Sequence, residues 1–262
     1  MTTTTSTDVA VYQAGGFLAL NHSTEEMGNM LTVLSENLGG ETLTARDLPR
    51  LGIPSGGGIS WEIPGPDGDV EPSKTLTGII VYFERTHSYW PHTQASGTPP
   101  ACSSVGPAFK AVGVGDPGGP CATCPHNVFG TKIRQDGRSA PGKACTEREN
   151  WFLMVPDRPL PIVVSLSPAS LGHAKDYRVK TLGSVGKHYS SVVTSITLAN
   201  DTNDTGDKYS YIVPKVAGNL SPDEAAKARA YADALRPVFA ATVAAVAAEA
   251  KADIDGSAEE IV

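Results

Sequence analysis

Thr77-Gly-Ile-Ile-Val-Tyr-Phe-Glu84 is the stretch on which the fold turns. Branched and aromatic residues dominate it, the composition that fits a pleated, half-buried strand. It runs on into Arg85-Thr-His-Ser-Tyr-Trp90, where charge and aromatic rings replace aliphatic residues. Further strands are expected at 59–63 upstream and at Trp151–Val155, Leu160–Ser165, Ser190–Leu198 and Tyr209–Val216 downstream. A helix is expected over 23–37, because Ser23 and Glu26 have capping-box spacing and Gly39-Gly40 closes the far end. Ser167–Gly183 reads as a second helix carrying Lys175, Arg178 and Lys180, and Asn200–Asp207 as a polar hairpin loop. Ser221-Pro-Asp-Glu224 opens a third, Ala-rich helix expected to run to about Lys251, with a break at Pro237. Gly56-Gly57-Gly58 is not followed by Lys-Ser/Thr, so a phosphate-binding loop is excluded and close backbone packing is the better account. No internal repeat is evident.

Glycine (27) and proline (20) are frequent in the 262 residues, which favours turns and short strands over a helical bundle. Short strands with long connections fit a mainly β (α+β) domain built as an oligonucleotide-binding-type barrel; another β sandwich fits the same pattern. The expected organisation is a flexible polar arm at 1–20 and one β-rich domain at 21–236, including a zinc-binding insertion at 91–150. The end of the C-terminal helix follows at 237–252, and an acidic tail at 253–262. No apolar run approaches the ~20 residues that span a bilayer, and the polar start lacks a signal-peptide pattern. The expected setting is cytoplasmic, without membrane or secretion.

The formal net charge of −7 argues against a polyanion partner until its distribution is read. Residues 74–190 carry +6, between −8 over the first 73 residues and −5 over the last 72. Such an asymmetry points to a nucleic-acid partner for the middle of the chain. The acids of 253–262, just before Ile261-Val262, resemble the partner-recruiting tail of bacterial single-strand-binding proteins; a solvated tail is the simpler reading.

Residues 91–150 lack sustained periodicity and hold all four cysteines: Cys102, Cys121, Cys124 and Cys145. Sixty residues without regular structure need something other than an apolar core to order them. In a cytosolic chain, one Cys-x-x-Cys pair flanked at about twenty residues by a further cysteine on each side suits a closed, tetrahedral, structural Zn²⁺ site. His126 and His92 are reserve ligands, though a turn or surface residue is the better reading of each. Two disulfides or inert thiols are the alternatives. A nucleobase-deaminase site is excluded, since no upstream His-x-Glu exists. A redox pair is disfavoured, because Gly-Gly-Pro precedes Cys121 and Pro125 follows Cys124.

A binder of unpaired strands needs cations for phosphates and flat rings for bases. The candidates are Arg85, Tyr89, Trp90, Lys110, Lys132, Arg134, Arg138, Lys143, Arg148, Lys175, Arg178, Lys180, Lys187 and Tyr189. Phe83 and Phe152 are assigned to the core. No catalytic residue is assigned: a nuclease would need clustered acids near a lysine, and Asp176 with Lys180 or Glu249 with Lys251 have no partner carboxylates.

Several blocks together resemble a group of bacteriophage and prophage proteins. They are Ile53-Pro-Ser-Gly-Gly-Gly-Ile-Ser-Trp-Glu62, Gly78-Ile-Ile-Val-Tyr82 with Tyr89-Trp90, and Cys102-Ser-Ser104. Cys121-Ala-Thr-Cys-Pro-His-Asn-Val-Phe-Gly130, Gly142-Lys-Ala-Cys145, Leu160–Leu171, Val192–Leu198 and Leu220–Ala225 complete the set, and the cysteine block is its most specific part. The resemblance spans roughly residues 20–236. It implies single-stranded-DNA binding in phage DNA replication or recombination, without catalysis. More loosely, the single-strand-binding proteins of T-even phages are similar in placing a zinc-ordered loop beside a barrel. A zinc-containing nucleic-acid enzyme and a zinc-scaffolded protein-interaction factor are the two other readings the sequence leaves open.

Overall fold

Residues 75–89 form one strand of 15 residues, the longest among the described residues, and the rest of the sheet is arranged around it. The computed structural model describes residues 16–239, apart from 42, 66–67, 95–97, 107–110, 135 and 205. In chain order, α1 (Thr24–Asn37) precedes β1 (Arg50–Gly52), β2 (Trp61–Pro64), β3 (Val70–Ser73) and β4 (Thr75–Tyr89). The cysteine-bearing stretch supplies β5 (Cys102–Gly106), β6 (Val112–Gly115), β7 (Gly119–Pro120), β8 (Lys132–Ile133) and β9 (Ser139–Ala140). Then come β10 (Cys145–Met154), β11 (Ile162–Leu166), α2 (Leu171–Asp176), β12 (Val192–Thr202), β13 (Lys208–Asn219) and α3 (Pro222–Ala234).

One edge of β4 pairs antiparallel with β10, from Ile79 to Tyr89. Its other edge is divided: Thr75–Gly78 pair with β12, and Arg85–Tyr89 pair with β5. The nine-stranded sheet therefore runs β1-β11-β10-β4-β5-β6-β7, with the β12–β13 hairpin branching from the first residues of β4. The β1–β11 pair is parallel and the others antiparallel, so the sheet is mixed.

The fold is mainly β, as expected, but the sheet among the described residues is open and the oligonucleotide-binding-type barrel is corrected. Closure needs the terminal strands to meet under a consistent tilt and stagger. Here the terminal strands β1 and β7 have three and two residues and pair only inward.

The two faces of the sheet bury two separate cores. Ile79, Val81, Phe152, Met154 and Val163 pack under α1 and α3, together with Phe17, Leu20, Met27, Tyr231, Leu235 and Phe239. Ile80, Trp151, Leu153, Ile162, Val164 and Leu166 pack on the other face with Trp61, Tyr177, Leu182 and Ile196. Alternation along β10 and β11 sends successive side chains to opposite cores. The buried polar tips find partners: Trp61 Nε1 donates to the Ile196 carbonyl (2.9 Å), and Tyr231 Oη donates to the Pro159 carbonyl (2.9 Å).

Both expected capping boxes are present, Ser23 with Glu26 and Ser221 with Glu224. The C-terminal helix breaks after Ala234 and resumes over 236–239, so Pro237 falls in a first turn, where its missing N–H removes no helical bond. The helix expected over Ser167–Gly183 is a succession of short turns. A 3-10 turn leads into α2, a π turn at Tyr177–Leu182 and a final 3-10 turn. The arm expected at 1–20 ends sooner, because Phe17 is wholly buried and Leu20 nearly so. Residues 1–15, the helix end beyond 239 and the tail 253–262 lie outside the described residues. The carbonyls of Gly57 and Gly58 accept from Asn200 Nδ2 and Ser210 Oγ (2.7 Å each), so the glycine triplet packs on the β12–β13 hairpin. No described helix is long and apolar enough to cross a membrane.

Candidate metal centre and nucleic-acid cleft

Beyond the aliphatic core, one face of the β10–β4–β5 ribbon changes from apolar to charged to thiol. Trp151 lies beside Phe83, and Glu149 beside Arg85 and Gly106. Glu147 then lies beside His87 and Ser104, and Cys145 beside Tyr89 and Cys102. The period of two places all four rows on the same face.

The charged rows form an internal network. Glu149 is completely buried and receives Arg85 Nε (2.8 Å), Arg178 Nη2 (3.1 Å), Arg178 Nη1 and Trp151 Nε1 (2.6 Å). The Arg178 guanidinium lies 4.1 Å from the Phe83 ring centre. Glu147 accepts from Arg85 Nη1 and from Lys143 Nζ (3.0 Å). Burial pushes the Glu147 carboxyl up, but hydrogen bonds from Lys143 and Arg85 outweigh it and hold it below the usual range. Lys143 also donates to Asn127 Oδ1 (3.0 Å), and Asn127 Nδ2 donates to the Cys121 carbonyl (2.9 Å). This chain of bonds ties the cysteine turns to the sheet.

Cys121 and Cys124 sit at two consecutive 3-10 turns, Cys121–Thr123 and Pro125–Asn127. Together with Cys102 and Cys145 they line one cavity of about 10 Å³, the size of a single water. All four carry free thiols. Burial raises the Cys102 thiol and pushes Cys145 up to about 12, with the neighbouring cysteines adding to both shifts. Backbone bonds from Gly118 to Cys102 and from Ser88 to Cys145 favour the thiolates. No three His, Cys, Asp or Glu side chains among the described residues form a ready-made metal-holding group.

The donor types and their surroundings are nonetheless of the class that suits a soft ion. Among the described residues, neither core cluster contains a residue between 101 and 145, so neither core orders the described part of this stretch. A Cβ on Gly113 would stand 2.7 Å from Cys102 Sγ, so the backbone leaves that thiol its space. Four soft donors around one small cavity would hold Zn²⁺ tetrahedrally and keep no position open for water. His126 stacks on Tyr89 (4.0 Å between ring centres), and His92 lies in the adjoining cleft. His87, buried beside the cluster, contacts Ser104 Oγ (3.3 Å), which also lies 3.3 Å from Cys121 Sγ. Burial lowers the His87 imidazole, with Lys143 and Arg85 adding to the shift and Glu147 opposing it.

Tyr89 is shared with a second, larger cavity of about 240 Å³ at the end of the ribbon. Tyr89, Trp90, His92, His126, Lys132 and Thr146 line it. Trp90 is 44% exposed and is steadied by its Nε1 donating to the Thr98 carbonyl (3.1 Å). Nearby Phe129 is 78% exposed, with Lys143 Nζ 5.4 Å from its ring centre.

Of the candidate contacts, the fold brings Tyr89, Trp90 and Lys132 together. Arg85, Arg178 and Lys143 turn inward to Glu149 and Glu147. Arg134 and Arg138 are exposed on the β8–β9 hairpin, Arg138 beside Asp136 (3.5 Å). Arg148 is exposed on the opposite face of the ribbon. Lys175 and Lys180 lie on the α2 side, with Lys180 paired to Asp176 (2.7 Å), and Lys187 donates to Asn219 Oδ1. Tyr189 packs edge-on against Phe83, and Lys110 lies outside the described residues. Sequence reasoning misses Phe129 and the ring faces of His92 and His126 as contacts. For Phe129 a signal exists, because an aromatic between Cys124-Pro125 and Gly130 has no strand alternation to carry it inward.

Comparison with protein-family models, curated proteins and solved structures returned no match.

Proposed function

We propose that this chain is a non-catalytic single-stranded-DNA-binding protein of phage replication or recombination, working in the bacterial cytoplasm with one structural Zn²⁺ held by Cys102, Cys121, Cys124 and Cys145. The observation that carries the reading is the cleft where Tyr89, Trp90, His92 and His126 meet Lys132. Rings accept an unpaired base from any sequence, and a cation at the rim accepts its phosphate. The resemblance to phage single-strand binders and the basic middle of the chain support the same partner.

The test is fluorescence anisotropy of a labelled dT20 at two salt concentrations, with wild type and Trp90→Ala. Wild type is expected to bind at low salt and weaken as salt rises. Removing the exposed indole should weaken binding by about 5- to 150-fold, the loss of one stacked base, with an unchanged melting temperature. No binding at low salt, or binding indifferent to salt, overturns the reading.

One observation favours the protein-interaction alternative. Val112, Val128, Phe129 and Ile133 are all exposed in the cysteine stretch, so this lobe carries surface apolar residues. A partner captured by the intact chain and retained after nuclease treatment, together with absent oligonucleotide binding, would favour it.

A further inference from the structure

A second cleft of about 510 Å³ lies where α3 and the turn at Tyr189–Ser191 meet the middle of β4. Its lining combines three rings, Tyr82, His188 and Tyr189, with Arg229, Asp233 and Arg236. The rings are held from behind: Tyr82 stacks on Phe239 (4.3 Å), and Tyr189 packs on Phe83 (5.5 Å) and His188 (4.0 Å). Arg229 is exposed and has no hydrogen-bond or ion-pair partner among the described residues. Among the described residues Arg236 is paired with Asp233 (2.7 Å), at a solvent-exposed site where such pairs contribute little. The guanidiniums act on the cleft itself. Arg236 favours the phenolates of Tyr82 and Tyr189 against their burial, and Arg229 adds to the burial that disfavours a charged His188. Two cations with spare donors beside supported rings match one kind of ligand, an aromatic base carrying a phosphate. Asp233 would accept from its exocyclic amino or hydroxyl groups.

The position relative to the first cleft links the two. Tyr82 and Ser88, which pairs with Thr146 of the first cleft, are six residues apart on one face of β4, roughly 20 Å at the strand rise. Thr146, in the first cleft, shares the face of Tyr82, with Thr86, Ser88 and exposed Arg148 between them. Glu84 also points to this face, but it is buried and presents no carboxylate to solvent.

We propose that the Tyr82–Tyr189–Arg229–Arg236 cleft is a second nucleotide-binding site, taking the same single strand whose other end lies at Trp90. This rests on the proposed single-strand binding. At the duplex-like stacked spacing of about 3.4 Å per phosphate, about six nucleotides bridge the two clefts, and fewer where the strand is extended.

The experiment compares dT3 and dT20 on wild type and on the Arg229→Gln/Arg236→Gln double variant, over a salt series. Both arginines are exposed, so equal melting temperatures are expected. For dT20 the double variant should lose two phosphate contacts, which makes the slope of log K against log salt shallower by about 1.4. Binding of dT3, which is too short to bridge, should change less than binding of dT20. A dT20 slope equal to wild type, with wild type binding normally, overturns this inference and leaves the proposed function standing. If wild type binds no oligonucleotide at low salt, both fall.

Discussion

Glu84 and Glu149 are both buried carboxylates on adjacent strands, and the chain treats them in opposite ways. Glu149 is met by two guanidiniums and an indole. Glu84 Oε1 accepts only from Asn150 Nδ2 (3.2 Å), and its Oε2 has no partner among the described residues. Burial raises the Glu84 carboxyl, and the Asn150 bond and the nearby Arg50 offset only part of that. A carboxyl raised in the fold binds its proton more tightly than it does unfolded. Its contribution is fully present below the ordinary carboxylate value and is lost as pH rises through the folded one. Glu84→Gln cannot ionise, so its melting temperature minus that of wild type should increase from pH 4 to pH 8. Thermal scans at both pH values measure this, and a difference that is flat or falls with pH would refute the account. Removing a partner of Glu149 is the harsher change, since it strands a buried charge. Nothing local marks one glutamate from the other, because both stand in strands next to polar or aromatic neighbours. The register of β10 against β4 sets Glu149 beside Arg85, and the Tyr177–Leu182 turn brings Arg178 to it.

Among the elements, the capped helices and the cysteine turns behave differently under substitution. The capping boxes at Ser23 and Ser221 are legible from four consecutive residues each, because a cap is a local hydrogen-bond exchange. The π turn at Tyr177–Leu182 is not, since it follows from Tyr177 Oη meeting Thr194 Oγ1 (2.8 Å) and Arg178 reaching Glu149, both set by distant strands. The glycines of β6 belong to the same class. Gly113→Ala places a methyl against Cys102 Sγ and should displace one thiol of the set. Native mass spectrometry under graded chelator should show the variant losing zinc at lower chelator concentration than wild type. Gly172→Ala is the matched control: its new methyl meets nothing within 4 Å on α2, and it should leave zinc retention unchanged. Equal retention in all three proteins would show that Cys102 does not ligate.

At the scale of the whole molecule, the two cores share one open sheet, and the described residues of the cysteine stretch lie outside both. If zinc supplies the order that the two cores do not, its removal should act locally. Hydrogen exchange after chelation should rise over 102–145, while β11, β12 and β13 keep their protection. Loss of protection along the entire chain, or none anywhere, would contradict this division of the molecule.

The charge pattern, a region of +6 between −8 and −5, is legible in the amino-acid sequence alone, as are β2, β4 and β10–β13, the caps and the spacing of the four cysteines, whereas β1, β3 and the short β5–β9 are not. These features depend on residues close along the chain, where periodicity and composition act directly. The tertiary structure alone decides that β4 divides one edge between β12 and β5, leaving an open sheet in place of a barrel. It also decides that Arg85, Arg178 and Lys143 turn inward, while Tyr89, Trp90 and Lys132 meet around a cleft. The physical reason is that alternation identifies a strand and its two faces but not its partner or register, and both are set by contacts between residues far apart in the chain.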